Sequence, residues 1–216
     1  MATLVPSILE TTKQQFLDTY AREVKLPGVT RIQVDFGDGV FVPNTILPIS
    51  EIDVLNPAIH FEAHLMIQEP KDFLDYQICG FKTIIIHYEA FSLPTKVRLT
   101  LQQIAQMGLE PGLCIKPETD VAALKEFEDV CKHFQLMSVH PGFQGTEFLL
   151  ETYERIAKLR NLCPNAIIEV DGGINETNIK KVADAGADLI VVGSAVTKAA
   201  EMGEAWEKLQ ASLTIA

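Results

Sequence analysis

The chain is 216 residues long, 47% hydrophobic and 22% charged, which suffices for one sizeable core and is short for two ordinary domains. Its formal net charge of −11 argues against a non-specific grip on nucleic acid or on an anionic membrane. The opening residues carry neither a basic leader nor a long apolar run, so no signal peptide and no transmembrane helix is expected.

Apolar strand-like runs alternate with amphipathic segments along the whole chain. Residues 4–9 read as a strand and 12–24 as a helix with Phe16, Leu17 and Tyr20 on one side. Residues 30–36 are the second expected strand, with a short helix at 51–55 in the connection after it. The third strand is expected at 59–67; Pro70 then opens a helix reaching residue 78, proline being well tolerated at the first helical position. Strand 83–87, helix 95–107, strand 112–115, helix 118–128, strand 134–138 and helix 147–162 continue the alternation.

The stretch from Ile167 to Ser194 is the most informative. Residues 167–170 form a short β-branched strand that delivers Asp171 and then Gly172-Gly173. Residues 175–185 have helical spacing, Gly186 ends that helix, and strand 189–192 runs into Gly193-Ser194. A last helix covers 201–213. Eight strands, each followed by a helix, predict a single (β/α)8 TIM barrel domain over residues 1–216. An open doubly wound sheet is the alternative. The barrel is preferred because polar and glycine residues cluster just after nearly every strand, where barrel active sites lie. Two glycine turns after consecutive parallel strands leave backbone N–H groups free to face an anion, and the turns after strands seven and eight are a common phosphate site.

Ser7 follows the first strand. Gln33 and Asp35 are two apart on the second and share a face, as do His64 and Met66 on the third. His87 and Glu89 end the fourth, and Met137 and Ser138 the sixth. With these faces inward, Gln33, Asp35, His64 and Asp171 converge from three strands as a candidate metal set. His60 and His133 are read as ordinary histidines, and His87 as much a hydrogen-bonding support as a substrate contact. Cys79, Cys114, Cys131 and Cys163 are too dispersed for a zinc knuckle or redox pair, which fits reduced thiols in a cytoplasmic protein.

Seven motifs in order carry a resemblance. They are Pro6-Ser7-Ile8-Leu9; Val34-Asp35 with Asp38-Gly39 and Phe41-Val42-Pro43-Asn44; His64-Leu65-Met66; His87 with Glu89-Ala90; Met137-Ser138-Val139 with Pro141-Gly142-Phe143; Glu169-Val170-Asp171-Gly172-Gly173-Ile174; and Gly193-Ser194-Ala195. In these the chain resembles the ribulose-phosphate 3-epimerase family along nearly its whole length. The resemblance implies a barrel enzyme that converts D-ribulose 5-phosphate to D-xylulose 5-phosphate. Asp35 and Asp171 match the acid/base pair, which transfers a proton through a metal-stabilised enediolate. Gln33, Asp35, His64 and Asp171 match the metal ligands. Ser7, His64, Met66 and Met137 match residues lining the sugar, and Gly142, Phe143, Gln144, Gly145, Gly172, Gly173, Gly193 and Ser194 the phosphate cradle. The implied cofactor is a divalent ion (Zn, Mn, Fe, Co or Mg), and a homo-oligomer is expected.

Two positions depart from the family. Gln33 stands where it has a histidine ligand, which shifts preference towards harder ions such as manganese or magnesium. Gly37 stands where it has a methionine, which is expected to leave the site roomier and wetter. Three other readings compete. A hexulose-phosphate synthase or orotidine-phosphate decarboxylase type is disfavoured, since Asp35-Phe36-Gly37-Asp38 lacks that group's strand lysine. A six-carbon ketose phosphate such as allulose 6-phosphate suits the same acid/base pair. A non-catalytic phosphosugar-binding barrel would keep the cradle without the metal.

Overall fold

A computed structural model describes residues 2–142 and 147–214. Eight parallel strands close on themselves in sequence order: β1 (Thr3–Ile8), β2 (Arg31–Gly37), β3 (His60–Met66), β4 (Phe81–His87), β5 (Glu110–Ile115), β6 (His133–Met137), β7 (Ile167–Asp171) and β8 (Leu189–Val192). This is the TIM barrel read from the sequence, and every strand lies within two residues of its expected bounds. The helices are α1 (Lys13–Glu23), α2 (Leu74–Cys79), α3 (Pro94–Gln106), α4 (Thr152–Leu162), α5 (Ile179–Asp184), α6 (Ser194–Thr197) and α7 (Met202–Thr214).

Several expected helices are shorter or of another kind. The helix at 51–55 is absent; a 3₁₀ turn at Ile49–Glu51 stands before it. Asn56 precedes Pro57, a position that disfavours helical backbone. The helix expected from Pro70 begins at Leu74, because Asp72 has a left-handed backbone (φ 62°) that no α-helix accommodates. Residues 118–128 form a 3₁₀ helix at Val121–Phe127, opened by Asp120, whose side chain accepts the Ala122 N–H. Residues 147–151 precede α4 rather than join it. Asn175 donates its N–H to Asn178 Oδ1 and accepts the Thr177 N–H on its own Oδ1. Such local side-chain bonds compete with helical ones and delay α5 to Ile179.

Strand alternation divides the core into two shells. Ile32, Val34, Phe36, Phe61, Ala63, Leu65, Phe134, Leu136, Ile168 and Val170 face outward and pack against the helices, with Phe16, Leu101, Ile104 and Leu159 among their partners. Trp206 anchors α7 here, its indole N–H donating to Pro27 O at 2.9 Å. The inward shell is partly apolar: Val5, Leu189 and Val191 on one side, Ile85, Cys114 and Met137 on another. Its remainder is polar, which is unusual for a barrel interior that branched aliphatics ordinarily fill. Gln33, Asp35, Glu62, His64, His87, His133, Gln135 and Glu169 are all buried there. The four cysteines are buried free thiols, and among the described residues no helix is long and apolar enough to cross a membrane.

Candidate active site

Parallel register sets the polar interior in levels. Arg31 pairs with His60, Gln33 with Glu62, and Asp35 with His64 across β2 and β3. Gln135 pairs with Glu169, and Met137 with Asp171, across β6 and β7. Because alternate residues share a face, each level hands its side chains to the barrel axis, and the last one opens at the C-terminal ends of the strands.

At that opening lies a cleft lined by Ser7, Asp35, His64, Met66, Met137, Gly142, Asp171, Gly172, Gly173, Gly193 and Ser194. Eleven residues singled out from the sequence thus meet in one place. Leu9, Val139, Pro141, Ile174 and Val191 complete its wall; all but Val191 stand in the motifs that carry the resemblance, with no polar group to mark a role. Phe143, Gln144 and Gly145 lie outside the described residues.

Asp35 and Asp171 come from strands well apart in the barrel yet nearly meet. The Gln33 amide joins them, its Nε2 donating to Asp35 Oδ1 at 2.8 Å and to Asp171 Oδ2 at 2.9 Å. His64 Nδ1 lies 2.8 Å from Asp35 Oδ1 and 3.4 Å from Asp171 Oδ2. Burial pushes the Asp171 carboxyl from 3.8 up to about 6, and the Asp35 charge adds to the rise. Burial by itself pulls the His64 imidazole down, but its hydrogen bond to Asp35 and the charges of Asp35 and Asp171 hold it above the ordinary histidine value. His64 Nε2 lies 2.9 Å from His87 Nε2. Burial lowers His87 to about 4, and in this contact one ring nitrogen donates while the other accepts. Its Nδ1 is 3.6 Å from Glu89 Oε2, beyond hydrogen-bond length. His87 is therefore a support of His64 and does not line the cleft.

Asp35, His64 and Asp171 offer donor atoms within 4.8 Å of one another, and this pair of carboxylates with one imidazole suits a divalent ion. Gln33, the fourth expected ligand, reaches the same point with its amide nitrogen, a donor and not a ligand atom.

Two glycines of the cleft are demanded by geometry. Gly172 has φ 118°, and a Cβ on it would stand 2.4 Å from Val139 Cγ2. Gly173 has φ 64°, and a Cβ there would meet the Phe148 backbone N at 2.8 Å. The turn after β7 is thereby pressed against its neighbours with bare backbone. After β8 the chain enters α6 at Ser194, a short extra helix that the sequence reading did not contain.

The room expected at Gly37 is not there. A Cβ on Gly37 would lie 3.0 Å from Ile46 Cδ1 and 3.1 Å from Asn44 O. Ile46 fills the space and packs with Val42 and Met66, so the wall stays apolar with a different residue supplying it.

Beneath the cleft the sequence reading missed a buried network. Gln135 Nε2 donates to Gln33 Oε1 at 2.7 Å. His133, read as ordinary, is fully buried with its Nε2 2.7 Å from Glu169 Oε2, and Arg31 is hydrogen-bonded to Glu62. Burial raises Glu169 to about 7 and Glu62 well above the carboxylate range, the latter helped by the Glu169 charge. The available signal was alternation: Gln135 and His133 precede Met137 by two and four residues on one strand, on the face that Met137 shares.

A closed (β/α)8 barrel with two carboxylates and an imidazole converging at its C-terminal mouth has the architecture of the barrel enzymes, whose chemistry lies at that end. The chain belongs to the ribulose-phosphate 3 epimerase family, whose model matches residues 3–197. It is 35% identical over 214 residues to the chloroplastic ribulose-5-phosphate-3-epimerase of Arabidopsis thaliana, covering 96% of this chain and 75% of that one. It is 36% identical over 209 residues to the ribulose-phosphate 3-epimerase of Synechocystis sp., covering 94% and 90%. Among solved structures, 3-hexulose-6-phosphate synthase from Salmonella typhimurium superposes with a TM-score of 0.74 at 19% identity, over 97% of each chain; that likeness is one of fold.

Proposed function

We propose that the chain interconverts D-ribulose 5-phosphate and D-xylulose 5-phosphate by proton transfer between Asp35 and Asp171. The observation that carries this is two carboxylates linked through one amide and open to a single cleft. The C3 hydrogen of the sugar lies α to the C2 ketone, so its removal leaves an enediolate rather than an isolated carbanion. One carboxylate takes the proton from one face, and the other returns a proton to the opposite face. Asp35, His64 and Asp171 would hold a divalent ion, which would supply positive charge against the oxygen charge that develops; with one imidazole and two carboxylates and no second imidazole at position 33, the set would suit manganese or magnesium better than zinc.

The remaining residues bind and orient. Ser7, Met66 and Met137 flank the sugar. The bare turn at Gly172-Gly173 and the first N–H groups of α6 at Gly193-Ser194 face the phosphate, with no intrahelical partners of their own. Gly142 adds to the cradle from the loop after β6. The partner is thus a small sugar phosphate, in a cytoplasmic enzyme. A homo-oligomer is in keeping with the exposed apolar side chains Val54, Leu74 and Ile78, which lie on segments joined by the Leu55 N–H to Cys79 O bond. A six-carbon ketose phosphate suits the same acid/base pair, but Ile46 takes the extra room that a longer sugar would find at Gly37, which favours the pentose reading.

Proton NMR of ribulose 5-phosphate in deuterated buffer tests the reading. Loss of the C3 proton signal with appearance of xylulose 5-phosphate is expected. No exchange with manganese, magnesium or zinc supplied in turn would overturn it.

A further inference from the structure

Gln33 differs from a metal ligand in the direction its amide points. Nε2 lies among the three candidate ligands, 2.8 Å from Asp35 Oδ1, 2.9 Å from Asp171 Oδ2 and 3.4 Å from His64 Nδ1. Both amide hydrogens are therefore committed to carboxylates. Oε1 points away and accepts Gln135 Nε2 at 2.7 Å. Gln135 also reaches Asp171 Oδ2 at 3.3 Å, and its own Oε1 is buried with no partner.

This arrangement locks one orientation. Turning Gln33 alone would set its carbonyl oxygen against two carboxylates and bring its NH2 against the NH2 of Gln135. Turning both amides would leave the Gln135 NH2 in the buried place that its unpartnered oxygen holds now. That exchanges one orphaned acceptor for two orphaned hydrogens, and unmet buried donors are costly. Gln33 and Gln135 are both fully buried, so water does not relieve either arrangement from the bulk. The amide hydrogens also screen Asp35 from Asp171, which is the electrostatic task a cation would perform at the same point.

We propose that Gln33, oriented by Gln135, occupies the cation position of this site and acts as a built-in competitor of the divalent ion, not as one of its ligands. The inference rests on the reading of Asp35, His64 and Asp171 as a metal site. A metal ion entering there displaces the amide and breaks two charge-assisted hydrogen bonds first. Manganese then binds this chain more weakly than a version of the site with no side chain at position 33.

Manganese binding to the full chain, stripped by chelation and measured by the electron paramagnetic resonance of free Mn(II), reads this directly for wild type, Gln33→Ala and Gln33→His. Gln33→Ala leaves the charge unchanged, so the sign of its effect separates competitor from ligand. It is expected to bind manganese at least about tenfold more tightly than wild type, the loss of hydrogen bonds to charged groups being worth that much or more; Gln33→His is expected to bind tighter still. Weaker binding by Gln33→Ala would make Gln33 a ligand and overturn the inference alone. No binding by any of the three would overturn it together with the metal site itself. Hydrogen exchange in the wild type avoids dependence on a variant's folding. The Gln33 side-chain amide should be protected in the stripped protein and lose protection when zinc binds, and protection unchanged by bound zinc would overturn the proposal.

Discussion

Asp171→Asn tests the site and its electrostatics together. In the wild type, Asp171 Oδ2 accepts from Gln33 at 2.9 Å and from Gln135 at 3.3 Å. Its carboxyl is nevertheless raised from 3.8 to about 6, by burial first and by the Asp35 charge second. That rise corresponds to roughly 3 kcal/mol against the charged form. Asparagine keeps an acceptor for Gln33 and carries no charge, so the metal-stripped variant should be more stable than wild type at about pH 7.5, by roughly 1–3 kcal/mol or ~3–8 °C in Tm. The gain has a definite pH course. Below about pH 4 the wild-type carboxyl is protonated folded and unfolded alike, and nothing is gained. Between about pH 4 and 6 the unfolded chain loses its proton while the folded one keeps it, so the wild type loses stability as pH rises and the gap opens. Turnover should fall by about 10²–10⁴-fold, the range for removal of a general acid/base. Thermal melts in chelator from pH 4 to about 8, beside C3 exchange by NMR, give both readouts. A stability gap that does not widen with pH would refute the buried-charge argument. Near-normal turnover would refute the assignment of Asp171 to proton transfer.

Arg31→Met should be destabilising, because it removes the hydrogen-bond partner of the buried Glu62 carboxyl; leaving a buried polar group unpaired costs about 1–3 kcal/mol, read as a fall in Tm. Glu23 sits at the end of α1 with both carboxyl oxygens buried and unpartnered, and burial, then the Asp35 charge, raises its pKa well above 4.5. The wild type therefore loses stability from this group as pH rises above about 4.5, and Glu23→Gln should be the more stable protein at pH 8 by about 1 kcal/mol in urea melts while matching it near pH 4.

The barrel was legible in the chain because it rests on local, repeated signals. Buried parallel strands such as 189–192 are continuous β-branched runs, and the segments between them show a helical period. Helix starts were less legible, since Asp72 and the Asn175–Asn178 turn use backbone and side-chain bonds that hydrophobic spacing does not register. Most of the cleft was legible too: Asp35, His64 and Asp171 are polar residues at the ends of apolar strands, where the fold places chemistry.

What the sequence by itself determined is the inventory and the facing of side chains. Alternation commits Gln33, Asp35, Gln135 and Asp171 to the barrel interior whatever their neighbours do. What only the tertiary structure decided is how residues distant along the chain share that interior. The Gln33 amide points at the carboxylates because Gln135, brought over by closure of the barrel, takes its oxygen. Ile46 stands in the space that Gly37 left because the loop after β2 folds back through the Ile46 N–H to Gly37 O bond. Hydrogen bonds and packing inside a closed sheet depend on which atoms meet across it, and residue types alone do not specify which atoms meet.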